Sequence, residues 1–276
     1  MPFGPVGPGR MPVPPAVRVV SAGTVSRTAK PDGPTARWVA RGEVSLPPGT
    51  GWLTPAERAR AGAMPFTKRR GEFLLRRLVA KHAVAIITGR SLEPSALSTV
   101  EVANAPDGAP EVRVDGVPFG RDVSVTDRAG WAVCVVGTGV GCDLELVEPR
   151  SAGFVDTFLT AAERRFVTGR PGGEQRDVAA NLVWSAKESG LKVLRTGLRR
   201  DTRDVEVSAG PPGPAGWGTL RVRTGAGPVL PGWWRREGRF LLTVVTAASQ
   251  PPPQPLDRRG PLATATPRHS WLTRPR

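Results

Sequence analysis

The chain has 276 residues, 39 Lys and Arg against 24 Asp and Glu, and a net charge of +15, which predicts an anionic partner. Two cysteines exclude a disulfide framework or a cysteine-rich zinc module, and two widely separated histidines argue against a histidine-based metal site. No apolar run approaches the roughly 20 residues that span a bilayer, and the start of the chain lacks the apolar segment of a secretory signal. We therefore expect a cytoplasmic protein that does not bind membranes.

Segments rich in Pro and Gly enclose the predicted folded body. Residues 1–36 have no sustained hydrophobic periodicity and predict a flexible, disordered arm. From residue 249 the sequence is basic and rich in Pro, which predicts a disordered tail over 249–276. The folded body is accordingly expected over residues 37–248, which is long enough to bury a substantial core.

An internal repeat predicts that the body consists of two similar halves, 37–125 and 126–248. The six residues that start at Leu53 (LTPAER) are matched by the six that start at Leu159 (LTAAER). In both, Thr and Glu have the spacing of a helix capping box. The expected fold class is α+β, with the two halves related by a pseudo-twofold axis and the second half carrying the chemistry.

Each half is expected to contain a short capped helix, a longer amphipathic helix and then strands. Apolar residues recur at three- and four-residue spacing over 73–87 and 178–195, which predicts the two long helices. Aligning these helices by their sequence places Lys81 opposite Lys192.

Two strands are predicted at the centre of the chain, 131–136 and 140–147, joined as a hairpin by Gly-Thr-Gly. Alternation along the second strand places Asp143 and Glu145 on one face and Cys142 on the other. Two carboxylates this close repel each other unless solvent or a cation lies between them. The pair is therefore either an exposed, solubilising feature or, if its face lines a cleft, a site for a hard cation such as Mg²⁺.

The second long helix supplies a further acid and an ammonium group. Trp184, Glu188 and Lys192 are spaced four residues apart, so they lie on or near one face. On their own, Glu188 and Lys192 could be a surface pair worth about 0.3–0.5 kcal/mol. Beside the two acids of the strand they would instead complete a site for metal-assisted phosphoryl transfer. Gly190 costs roughly 1 kcal/mol relative to Ala inside a helix, which indicates a close approach there.

The two segments together resemble a known family. Val-Gly-Cys-Asp-Leu-Glu at 140–145, followed by Trp-Ser-Ala-Lys-Glu-Ser-Gly-Leu-Lys at 184–192, is similar to the paired signatures of the 4′-phosphopantetheinyl transferases. The similarity covers about residues 50–210, and the length and repeat resemble the monomeric type that activates polyketide and nonribosomal peptide synthetases. The resemblance implies holo-[acyl-carrier-protein] synthase activity: Mg²⁺-dependent transfer of the phosphopantetheine arm of coenzyme A to a carrier-protein serine, with release of adenosine 3′,5′-bisphosphate.

The same resemblance assigns roles to individual residues. It makes Asp143, Glu145 and Glu188 the metal ligands. Glu188, directly or through water, would help to deprotonate the serine, and Lys192 would stabilise or protonate the departing phosphate. The residues expected to bind coenzyme A are Lys187, Arg58, Arg60, Arg70, Arg77 and Arg128.

Two positions depart from the family pattern. Asp127 stands where family members commonly carry a His that contacts the phosphates of coenzyme A, and Ala109 stands where a phosphate-binding Lys is frequent. Arg121 and Arg128 are the candidates to replace the lost positive charge.

The expected partner is an acidic acyl or peptidyl carrier protein, which a chain of charge +15 would meet with electrostatic steering. A catalytically degenerate relative that binds a synthase is the alternative, motivated by the two departures. A nucleic-acid-binding protein is suggested by net charge alone, and no docking motif accompanies that charge, so no nucleic-acid partner is expected. The resemblance implies a monomer.

Overall fold

The computed structural model describes residues 35–225, 227–257 and 262–268. The predicted N-terminal arm lies outside the described residues except for its last two positions, and Ala36 is already buried in the core. The mixture of helices and sheets confirms the α+β class. No helix among the described residues is both long enough and apolar enough to cross a bilayer.

The elements follow one another in a similar order in the two parts of the chain. In the first part they are β1 (Arg37–Gly42), α1 (Pro55–Gly62), α2 (Thr67–Ile87), α3 (Pro94–Leu97), β2 (Val100–Asn104), β3 (Pro110–Val114), β4 (Val117–Pro118), β5 (Asp122–Arg128) and β6 (Trp131–Gly137). In the second they are β7 (Val140–Leu146), α4 (Ala152–Phe158), α5 (Ala161–Thr168), α6 (Glu174–Val193), β8 (Val205–Pro212), β9 (Gly218–Thr224), β10 (Val229–Glu237), β11 (Phe240–Thr246) and β12 (Gln254–Pro255).

The strands of the described residues form sheets of order β12-β1-β6-β5, β7-β11-β10-β9-β8 and β2-β3-β4. Strands β6 and β7 lie where they were predicted, but the predicted hairpin between them is wrong. Because β1 and β5 occupy both edges of β6, β7 pairs with β11 instead. The chain therefore changes sheets after β6, whereas the predicted boundary between the halves lies at residue 126.

The two predicted capping boxes are confirmed, and each is tied to the sheet that follows it. The carboxylates of Glu57 and Glu163 accept a hydrogen bond from the backbone N–H of the N-cap Thr of their helix. The hydroxyl of that Thr in turn accepts from the backbone N–H of the same Glu. The other carboxylate oxygen of Glu57 accepts from Val102 N at 3.0 Å, and that of Glu163 accepts from Val207 N at 2.8 Å. The same helix-to-strand connection thus occurs in both parts of the chain.

The segment after β11 packs against the first sheet, which corrects the disordered tail predicted for 249–276. Strand β12 pairs in parallel with β1, Asp257 Oδ2 lies 2.6 Å from Arg41 Nη2, and Leu262 is fully buried. Two contacts hold this segment: the buried Arg41 pairs with Asp257, and Leu262 lies inside the core. Composition alone does not reveal either contact. The rest of the predicted tail, 258–261 and 269–276, lies outside the described residues.

Candidate active site

Strands β5 and β7 belong to different sheets and lie side by side, joined by side-chain hydroxyls. Ser124 Oγ accepts from Cys142 N at 2.9 Å. Thr126 Oγ1 donates to Asp143 Oδ1 at 3.0 Å and accepts from Leu144 N at 3.3 Å. This seam between the sheets fixes one oxygen of Asp143.

Two glycines let α6 pack directly on the sheet. A Cβ added at Gly141 would lie 2.1 Å from the backbone oxygen of Ser189, so β7 and α6 can meet only without a side chain there. A Cβ at Gly190 would lie 2.7 Å from Val222 of β9. The close approach predicted at Gly190 is therefore confirmed, and the neighbouring group is a strand of the same sheet.

This packing brings three acids close together. Asp143 and Glu145 of β7 are 7 % and 8 % exposed, and Glu188 reaches them from α6 half-buried. Burial and, after it, the charges of Asp143 and Glu145 together raise the pKa of Glu188 to about 7, against the opposing charge of Lys192. The acids are thus near enough for each to feel the charge of the others.

Lys192 contacts this acid cluster while part of its side chain remains exposed to solvent. Its Nζ donates to the Cys142 carbonyl at 2.7 Å and to Asp143 Oδ1 at 3.2 Å. Burial alone would lower its pKa, but the charges of Asp143 and Glu188 raise it above the ordinary value. Lys192 is therefore a cation at neutral pH.

Glu145 is held by cations of the chain. Its Oε2 lies 2.9 Å from Arg150 Nη2 and 3.3 Å from Arg128 Nε. Arg128 also contacts Glu148 at 3.2 Å, and Arg150 Nε donates to Asn181 at 2.7 Å. Burial and Asp143 raise the pKa of Glu145, while the two arginines oppose that rise. The structure places Arg128, which was predicted to bind coenzyme A, against the acids Glu145 and Glu148.

Trp184 covers the other side of Glu145. Its side chain hydrogen-bonds the Glu145 carboxylate, and its ring centroid lies 5.1 Å from those of Phe154 and Phe158 in edge-to-face contact. These contacts with the two phenyl rings hold the indole in place against Glu145.

The acid cluster has the donor chemistry of a Mg²⁺ site but not the arrangement of a finished one. Asp143 Oδ2 is buried with no hydrogen-bond partner among the described residues, and Glu145 Oε2 meets its two arginines without hydrogen-bond geometry. Carboxylate oxygens of this kind are ligands that Mg²⁺ prefers. Nevertheless, no group of three or more His, Cys, Asp or Glu among the described residues is disposed to hold a metal ion, and Glu145 is already engaged by guanidinium groups.

A cavity of about 470 Å³ opens beside the acid cluster, lined by residues of α1, α2, β5, the β2–β3 loop and the end of α6. Elements of both halves line it, and it carries more cations than anions. The cations are Arg60, Arg76, Arg77, Lys192 and Arg195, and the acids are Asp107 and Asp122. A cavity with this balance is suited to a ligand with several negative charges.

Arg77 gives the cavity a buried positive charge. Its Nη2 donates to Asn104 Oδ1 at 2.6 Å, and its guanidinium lies 4.6 Å from the centre of the Phe73 ring. Its Nε is buried with no hydrogen-bond partner in the part of the chain that the structure describes. Burial and, to a smaller extent, the neighbouring charges of Arg60 and Arg76 together lower the pKa of Arg77 to about 10, against the effect of Glu57. Because cations outnumber acids among the residues that line the cavity, the cavity favours an anionic ligand.

The predicted coenzyme A residues therefore fall into two groups. Arg60 and Arg77 line the cavity, whereas Arg58 and Arg70 are exposed and do not. Sequence analysis overlooked Arg76, which lines the cavity and pairs with Asp127. Residues three apart lie on the same face of a helix, so the position of Arg76 relative to Phe73, which also lines the cavity, is the signal that could have identified it.

Lys187, predicted to bind coenzyme A, is fully buried in an ion pair and is not among the residues that line the cavity. Its fully buried Nζ lies 2.8 Å from Glu163 and donates to Thr202 O at 2.8 Å. Lys81 is buried in the same way, 2.7 Å from Glu57. Lys81 is therefore the counterpart of Lys187, and its predicted alignment with Lys192 is wrong.

A model of the 4′-phosphopantetheinyl transferase superfamily matches residues 139–219. The match runs from β7 into β9 and includes the three acids and Lys192. Members of this superfamily transfer phosphopantetheine and use coenzyme A as co-substrate. Over these residues the chain is similar to the 4′-phosphopantetheinyl transferase superfamily, which confirms the resemblance recognised in its sequence. No curated protein matches the chain.

Proposed function

We propose that the protein is a holo-carrier-protein synthase, which transfers the phosphopantetheine arm of coenzyme A to a serine of an acyl or peptidyl carrier protein. The observation that carries this proposal is the position of the acid cluster and Lys192 at one end of a cationic cavity, within the segment that matches the superfamily. Cytoplasmic location, a monomeric state and service to polyketide or nonribosomal peptide synthetases belong to the same proposal.

The residues that would hold Mg²⁺ are Asp143, Glu188 and Glu145. The unpartnered Asp143 Oδ2 and the half-buried Glu188 are available to it, and Glu145 would join them if the metal displaces its contacts with Arg128 and Arg150. Bound Mg²⁺ would screen the negative charge of the pyrophosphate, which otherwise repels an incoming oxygen nucleophile.

The remaining steps are carried by side chains of the chain. In the reaction, the serine oxygen forms a bond to the phosphorus that bears the pantetheine arm. The bond from that phosphorus to the bridging oxygen breaks, and adenosine 3′,5′-bisphosphate leaves. Glu188, with a pKa of about 7, accepts the serine proton near neutral pH, while Lys192 stabilises the charge on the departing phosphate. Arg60, Arg76 and Arg77 bind the nucleotide.

The direct test is incubation of the full chain with coenzyme A, Mg²⁺ and a panel of apo-carrier proteins, followed by intact mass measurement. The proposal predicts a carrier whose mass rises by one phosphopantetheine, and no rise when EDTA replaces Mg²⁺. It also predicts that loading slows as ionic strength rises, because encounter with an acidic carrier depends on charge. No loading of any carrier by a folded protein that binds coenzyme A would contradict it.

The second candidate is a binding partner of a synthase that has lost catalysis. The engagement of Glu145 by two arginines and the presence of Asp127 at a position where the family commonly has His favour it. Carrier binding without any loading, in the presence of both coenzyme A and Mg²⁺, would support this candidate over the enzyme.

A further inference from the structure

The end of α6 has an unusual residue in a strained position. Arg195 N donates to the Lys192 carbonyl at 3.1 Å and Thr196 N to the Leu191 carbonyl at 3.2 Å, the two bonds of a Schellman motif. The residue in the left-handed position of this motif is usually glycine, but here it is Arg195, with a φ of 57°. A side chain costs about 1–2 kcal/mol in that conformation. A strained position that keeps a long charged side chain indicates a role for that side chain.

The guanidinium of Arg195 crosses from one half of the protein to the other. Its Nε lies 2.7 Å from Asp107 Oδ2 and its Nη2 lies 3.3 Å from Asp107 Oδ1. Both residues line the cavity. The side chain of Arg195 remains 55 % exposed, and these two bonds leave the other donors of its planar fork able to bind an anion.

The loop between β2 and β3 orients two guanidinium groups at once. Asp107 Oδ1 also accepts from Ala109 N at 3.0 Å, and Asn104 Nδ2 donates to a carbonyl of the same loop at 2.9 Å. Asn104 holds Arg77 with its oxygen, while Asp107 holds Arg195. One internally bonded loop thus fixes a cation from each half at the cavity.

Arg195 brings positive charge to the part of the cavity where the sequence lacks it. Ala109 lies in that loop and lines the cavity without a charge. Arg128, a sequence candidate for replacing the charge, is tied to Glu145 and Glu148. Arg121 is exposed and is not among the lining residues.

We propose that Arg195, positioned by Asp107, binds the 3′-phosphate of coenzyme A and so selects the 3′-phosphorylated cofactor. Lys192 contacts the acid cluster, where the transferred phosphate would lie. Arg195 follows it at the more exposed end of the helix, where a phosphate that is not transferred would lie. This inference rests on the proposed function, because it takes coenzyme A as the ligand of the cavity.

The test is calorimetric titration of the full chain with coenzyme A and with 3′-dephospho-coenzyme A, comparing the wild type with Arg195→Gly. Glycine removes the guanidinium and relieves the left-handed strain, so the variant should melt at or above the wild-type temperature. Its affinity for coenzyme A should fall about tenfold or more, while its affinity for the dephospho form changes by less than about threefold. Arg195→Lys should retain part of the preference for coenzyme A. Arg203→Ala is the matched control, since Arg203 forms an exposed pair with Asp201 and neither residue lines the cavity. This variant should bind both ligands with wild-type affinity.

The outcomes separate the inference from the proposed function. If Arg195→Gly binds coenzyme A as tightly as wild type, or loses both ligands equally, Arg195 does not read the 3′-phosphate and the inference is overturned while the function stands. If the folded wild type binds neither ligand, the proposed function and the inference both fail.

Discussion

The ammonium of Lys192 lies 3.2 Å from Asp143 Oδ1, at the point where α6 crosses β7. The same group donates to the backbone carbonyl of Cys142, so its position is fixed from the strand side. Lys192 also lines the cavity. One side chain therefore connects the acid cluster, where transfer is proposed, with the cavity, where the nucleotide is proposed to bind.

The pKa of Glu188 predicts a pH-dependent stability. It rises from an ordinary 4.5 to about 7 through burial and the neighbouring acids. Between these pH values the folded protein holds a proton that the unfolded chain lacks, so the stability of the metal-free wild type should fall as pH rises from 4.5 to 7. Glu188→Gln removes this titration. The variant should be more stable than wild type at pH 8 by about 1–3 kcal/mol and lose most of that advantage near pH 5.

Urea unfolding in the presence of EDTA at both pH values measures this difference. Glu174→Gln is the control, because Glu174 lies exposed on the same helix and pairs only with Arg236 among the described residues. An equal effect of Glu188→Gln at pH 5 and pH 8 would show that the carboxyl has an ordinary pKa.

The structural role of Lys187 predicts a loss of stability without a specific loss of ligand affinity. Lys187→Met leaves the buried carboxylate of Glu163 without its cation, which should cost about 3–5 kcal/mol in urea unfolding. The exposed Lys68, paired loosely with Glu72, provides the control, and Lys68→Met should cost less than about 0.5 kcal/mol. The fraction of Lys187→Met that remains folded should bind coenzyme A normally. A variant of full stability that no longer binds coenzyme A would restore the role that sequence analysis assigned to Lys187.

Both thiols should be unreactive in the folded protein. Cys134 and Cys142 are fully buried, and burial raises the pKa of Cys142 to about 11 and that of Cys134 well above its usual range. Because the thiolate is the reactive form, Ellman's reagent at pH 8 should modify neither residue in the native state and both in urea. Rapid modification without denaturant would mean that the seam between β5 and β7 opens readily.

The packed C-terminal segment predicts that Leu262 contributes to stability. Leu262→Ala removes a fully buried side chain and should cost about 2–4 kcal/mol. Val44→Ala, at a side chain that is 76 % exposed, should cost less than about 0.5 kcal/mol. Equal stability of the two variants in urea unfolding would indicate that the segment does not contribute to the folded core.

Local patterns in the sequence identify several parts of the structure. The capping boxes follow from Thr and Glu spacing, and both long helices follow from periodic apolar residues. The resemblance carried by the two motifs also implied that Asp143, Glu145 and Glu188 lie together, and in the structure a strand and a helix packed through Gly141 bring them close.

Other features depend on which groups become buried, and a local pattern does not specify that. Lys187 and Lys192 lie five residues apart on α6 but face a buried carboxylate and the cavity, respectively. Lys81 and Lys187 are separated along the chain by the same number of residues as Leu53 and Leu159. This shared offset was the signal that the two lysines are equivalent and form equivalent buried ion pairs. Arg195 reaches the cavity because it adopts the left-handed conformation just after the end of α6. Glycine usually marks this position in a sequence, but here the residue is an arginine.

The most direct test of the proposed transfer site is the rate of carrier loading by Glu188→Gln, read by intact mass with coenzyme A, Mg²⁺ and a carrier protein that the wild type loads. Glutamine keeps the shape of the side chain but can neither accept the serine proton nor bring a full charge to the metal, so loading should fall by about 100-fold or more. Glu174→Gln, measured alongside, should load at the wild-type rate. Loading by folded Glu188→Gln at the wild-type rate would contradict the assignment of the acid cluster as the site of transfer.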